Sequence, residues 1–162
     1  MFNSNMIKLA TYLEEHVTQE QFDMSSYRVD EDMDIVNLTS SSDLNNTDEC
    51  GTFGCALGWG PWVDGLRLAP VDFDVIGNVM WTDYCKRILG VSMDSPVWNF
   101  LFSGMWDGTD NTPAGAAKRL RYIATGGMVG SMSDYDRGVD EYLPGHGGED
   151  HDIALYMNWK GA

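Results

Sequence analysis

Apolar positions recur at helical spacing along much of this chain. Met6, Leu9, Ala10, Leu13 and Val17 fall at i, i+3, i+4, i+7 and i+11, while Lys8, Glu14 and Glu15 lie on the other side. That stripe predicts an amphipathic helix over 4–17. Thr18 and Gln21 have the spacing of a capping box and open a short turn ending in Phe22-Asp23-Met24. Thr52 is placed to cap a helix from Phe53 to about Gly58, with Pro61 stopping it and Gly60-Pro61-Trp62 forming a turn. Thr82 is read as the cap of a helix whose apolar face is Tyr84, Cys85, Ile88 and Leu89, with Gly90 ending it.

Two start signals are stronger. Ser95-Pro96 and Thr112-Pro113 each set a capping hydroxyl before a proline at the first helical position. The first leads into Val97, Trp98, Phe100, Leu101 and Phe102, closed by Gly104. The second leads into a helix to Thr125, with Ala116, Leu120, Ile123 and Ala124 on one face and Lys118, Arg119 and Arg121 on the other, before Gly126-Gly127. Residues 153–159 make a short amphipathic end. The fold class expected is mainly α: a compact bundle of five or six short helices with long Gly/Asp-rich loops and at most one short β-strand pair, around Ile35-Val36-Asn37-Leu38. The 162 residues suit one globular domain over 1–162, with an acidic loop insertion at about 28–49 and a less regular region at 131–162. No apolar run reaches the roughly 18 residues needed to cross a bilayer, and the first fourteen residues lack the basic and apolar parts of a secretion signal.

Charge changes the picture. Twenty-five Asp and Glu against ten Lys and Arg give a formal charge of −15. Affinity for nucleic acid or anionic lipid comes from Lys and Arg neutralising phosphates, so neither is an expected direct partner. A basic protein is, because opposite fields speed encounter. Averaged over a surface of about 8,000 Å² for this mass, the charge amounts to one per roughly 540 Å², whereas duplex DNA carries about one per ~100 Å². Only a clustered acidic face would imitate DNA. The densest acidic run is Asp30, Glu31, Asp32 and Asp34, followed by Asp43, Asp48 and Glu49.

The candidate chemistry is thin. Cys50, Cys55 and Cys85 are odd in number and lack zinc-knuckle spacing, even with His16, His146 or His151 as a fourth ligand. Asp30-x-Asp32-x-Asp34 begins like a calcium loop, but Ile35 stands where glycine is required and no glutamate closes it. His146-Gly147-Gly148-Glu149-Asp150-His151-Asp152 offers metal-ligand types in a glycine-loosened loop. The most distinctive run is Cys50-Gly51-Thr52-Phe53-Gly54-Cys55-Ala56-Leu57-Gly58-Trp59. A thiol at a capped helix start can be acidified and made nucleophilic, with His146 or His151 as base. Buried packing cysteines in a narrow, small-residue helix are the plainer reading.

That run also carries a resemblance. Phe22-Asp23-Met24, the Cys-Gly-Thr-x-x-Cys-Ala-x-Gly-Trp stretch, the Ile88-Leu89-Gly90 helix end, Leu101-Phe102 and the Thr112-Pro113 helix closing at Thr125-Gly126 together resemble small uncharacterised proteins of tailed bacteriophages and their bacterial hosts, over about residues 6–127. The resemblance implies a phage or prophage origin and supplies no catalytic residues. The chain departs from it in the acidic segment 30–48 and after Gly130, where any specialised activity would sit.

The function expected is therefore an acidic, phage-encoded accessory protein of the host cytoplasm. It would bind and inhibit a basic host or anti-phage defence protein through Asp30, Glu31, Asp32, Asp34, Asp43, Asp48 and Glu49, with Trp62 as an aromatic anchor. No cofactor, metal, nucleic acid or membrane is expected. Two alternatives stand beside it: a cysteine-dependent hydrolase or transferase using Cys55 or Cys50 with a C-terminal histidine, and a virion or assembly component.

Overall fold

The computed structural model describes residues 3–22, 55–66, 78–102, 111–129, 156 and 158–161. These residues form four α-helices, α1 (Ser4–His16), α2 (Asn78–Leu89), α3 (Pro96–Phe102) and α4 (Pro113–Ala124), and two 3₁₀ segments, Gln19–Gln21 and Leu57–Trp62. The fold is mainly helical, as the periodicity predicts, and no strand lies among the described residues. The strand expected at 35–38, the acidic loop at 28–49 and the irregular region up to residue 155 lie outside them.

The α1 stripe is the core stripe. Met6, Leu9, Ala10, Leu13 and Val17 are all buried, and Glu14, Glu15 and Lys8 face out. α1 packs chiefly on α4, which also receives α3; α1 further touches α2 and the Leu57–Trp62 segment. Half of the buried α4 positions are small (Gly115, Ala116, Ala117, Ala124), which lets a neighbouring helix axis come close. Thr112 accepts from the Gly115 amide at 2.9 Å, and the Ser95 hydroxyl oxygen accepts from the Trp98 amide at 3.3 Å, so both Thr/Ser-Pro starts are real caps.

α4 ends as its two glycines require. The Gly126 amide donates to Ile123 at 3.0 Å and the Gly127 amide to Tyr122 at 2.8 Å, a Schellman closure. Gly126 holds φ +95, which an L side chain rarely adopts.

The start of α1 fastens three helices together. The Asn3 side-chain oxygen accepts from the Asn5 and Met6 amides, both at 3.2 Å, capping α1. The Asn3 side-chain nitrogen donates to the Leu89 carbonyl at 2.8 Å, and its backbone amide donates to the Ala124 carbonyl at 3.2 Å. Asn5 adds a 2.8 Å bond to the Ile88 carbonyl. The positive end of α1 thus meets the negative ends of α2 and α4, and carbonyls that a helix leaves unpaired find donors. Farther along α1, Arg121 of α4 reaches both Glu14 carboxylate oxygens, at 2.6 and 3.4 Å, and the Thr11 hydroxyl at 3.0 Å.

Three expectations need correction. Thr82 does not cap α2, which begins four residues earlier at Asn78; Trp81, Cys85 and Leu89 continue one i, i+4 row, so the apolar stripe runs through the supposed boundary. The helix expected from Phe53 to Gly58 is instead a 3₁₀ segment at Leu57–Trp62 that contains Pro61, and residues 53 and 54 lie outside the described residues. Gly58, Gly60 and Pro61 are poor α formers, whereas i→i+3 bonding needs only a short run. Arg119, expected on the solvent face of α4, is fully buried. It stands four residues after Gly115 and three after Ala116, on the inward row, and position outweighs charge.

Candidate functional site

The thiol-bearing segment lies inside the molecule. Cys55, Ala56, Leu57 and Trp59 are all buried at 3% exposure or less, and the segment packs on α2. Gly60 makes that approach possible: a Cβ there would sit 2.5 Å from the Tyr84 hydroxyl oxygen and 2.9 Å from a ring carbon. The Tyr84 hydroxyl passes alongside and donates to the Leu66 carbonyl at 2.9 Å. Trp81 meets the Tyr84 ring edge-on at 6.1 Å. The next residue on α2 is Cys85, a fully buried thiol, and Cys55, close enough to act on it electrostatically, is buried as well.

This environment opposes nucleophilic chemistry. Burial pushes the Cys85 thiol far above its ordinary value, and the charge Cys55 would carry pushes it further. Burial also raises the Tyr84 phenol, with Cys85 adding to the rise. A nucleophilic cysteine needs the thiolate and access for a substrate. Cys85 lacks the first, and both sulfurs lack the second. Cys50, His146 and His151, the other members of the expected thiol chemistry, lie outside the described residues. His16 is exposed beside Glu15, at 3.9 Å, and against the Tyr12 ring, at 4.9 Å between centroids. Among the described residues no group of three or more His, Cys, Asp or Glu side chains is placed to hold a metal ion, and no helix is long and apolar enough to cross a membrane.

Of the residues expected to bind a partner, Trp62 alone is described. It ends the 3₁₀ segment half-buried, packed on the core. Asp30, Glu31, Asp32, Asp34, Asp43, Asp48 and Glu49 lie outside the described residues. The described residues hold six acidic side chains and seven basic ones; the remaining nineteen acidic and three basic residues all belong to the rest of the chain. Segments 23–54 and 130–155 together contain fifteen acidic residues and two basic ones. Inside the helical framework charges are matched locally, Glu14 with Arg121 and Asp83 with Arg87, the latter at 2.8 Å.

Sequence reasoning missed two features. One is the Asn3 junction, although an asparagine directly before an amphipathic stripe is a capping signal. The other is an aromatic cluster that ties the end of the chain to α3 and α4. Tyr156 is fully buried, edge-on to Phe100 at 5.1 Å and to Tyr122 at 5.4 Å, with the Lys118 ammonium 4.6 Å above its ring. Trp159 adds a second edge contact to Tyr122, at 5.9 Å. Comparison with models of known families, with curated proteins and with solved structures finds no match to this chain.

Proposed function

We propose that this chain is a phage-encoded accessory protein of the host cytoplasm that binds and inhibits a basic host or anti-phage defence protein. The observation that carries the reading is the division of charge. Segments 23–54 and 130–155 hold fifteen acidic residues against two basic ones, −13 of the chain's net −15. Net charge of this kind acts on association and solubility, not on the fold. A surplus confined to particular segments presents a denser field than the same charge spread evenly, and a basic surface is its natural complement.

The contact surface in this reading is the run from Asp30 to Glu49, with Trp62 as an anchor at the edge of the core. An aromatic ring already held by packing loses little conformational freedom on binding, which is why such rings become hot spots. The buried state of Cys55 and Cys85 supports a binding role over thiol catalysis. The phage origin rests on the Cys-Gly-Thr-x-x-Cys run and the helix punctuation around it.

The test is capture from a bacterial lysate at low ionic strength, with the bound protein released by a salt gradient and identified. A basic protein that elects this ligand, leaves it as salt rises and loses its own activity in the complex is the expected result. Recovery of no protein at low salt, or of one whose binding ignores salt, overturns the reading.

A further inference from the structure

We draw no further inference here: the strongest candidate, the pair of buried thiols Cys55 and Cys85 where the 3₁₀ segment meets α2, rests on an acid–base shift alone, and the burial that produces this shift keeps the Cys85 sulfur protonated and both sulfurs away from any reaction partner.

Discussion

The helical framework and the segments that join and follow its elements are built from different residues for different ends. In the framework, large apolar side chains fill the interior, small ones set helix spacing, and its charged groups nearly balance. Segments 23–54 and 130–155 are instead rich in Asp and Glu, fifteen against two basic residues. Charge of one sign repels itself and works against compactness, so a fold is better served when that charge is kept out of its core. Stability and the proposed recognition are thus separable properties of one chain. Substitutions in the framework should change the first, and substitutions in the acidic segments the second.

The largest effect is expected at Trp81, which is fully buried at the head of the Trp81–Cys85–Leu89 row of α2. Trp81→Ala should cost about 3–5 kcal/mol through lost transfer energy and the cavity left behind, a large part of the roughly 5–15 kcal/mol that holds a domain together. Urea unfolding followed by circular dichroism measures it. A loss below about 1 kcal/mol would mean that the 3₁₀ segment and α2 do not share a tight core.

Asn3 comes next. Asn3→Ala removes an N-cap, about 1 kcal/mol, and a bond to the end of α2, about another 1 kcal/mol. Asn3→Asp separates the two roles. A carboxylate caps α1 as well as the amide does, but it cannot donate to Leu89 and it brings negative charge to two helix C-termini. If Asn3 joins three helices, the Asp variant is no more stable than the Ala variant. If it only caps α1, Asp restores most of the loss.

A third effect follows from Cys85 and Tyr84. Each holds its proton more tightly in the fold than in the unfolded chain, because burial disfavours the anion. Above the ordinary thiol value, near 9, the unfolded chain loses a proton that the native state keeps. Stability is therefore full below that pH and falls as pH rises, by about 1.4 kcal/mol per unit for each such group. Thermal melts between pH 7 and 11 should show this slope, and Cys85→Ala should lessen it from pH 9 upward. Alkylation of the folded protein at pH 8 should spare both Cys55 and Cys85.

How much of this was legible beforehand depends on what each residue answers to. The α1 stripe, the Thr112-Pro113 and Ser95-Pro96 starts and the Gly90 and Gly126 stops are local signals, and the structure places each as the spacing predicts. Thr82 failed because a threonine suits a cap and a helix interior alike, and only the Trp81–Leu89 row decides between them. Arg119 departs from a reading by charge because helical phase, not polarity, decides which way its side chain points. Asn3 and Tyr156 answer to residues far away in sequence; Leu89 lies 86 positions from Asn3. No local pattern announces such a partner. The concentration of acidic residues in 23–54 and 130–155 is legible from the sequence alone.

The smallest effect on stability is expected in the acidic run, and it tests the separation most directly. Replacing Asp30, Glu31, Asp32 and Asp34 by their amides removes four charges from a segment whose neighbours are also acidic. On the proposed reading each such change should move stability by no more than about 0.5 kcal/mol. Association with the captured partner should slow at least tenfold at low salt, since steering contributes roughly 10–10³ to encounter rates, and the off-rate should change far less. A matched control removes four exposed charges from the framework instead, with Glu15→Gln, Glu20→Gln, Asp64→Asn and Asp94→Asn. Both variants have the same net charge, so any difference in their association rates reports where the charge sits. If the control slows binding as much as the acidic-run variant, the partner responds to total charge and the two regions are not functionally distinct. If the acidic-run variant alone is slow, recognition belongs to that segment, and the framework's role is to hold it in place.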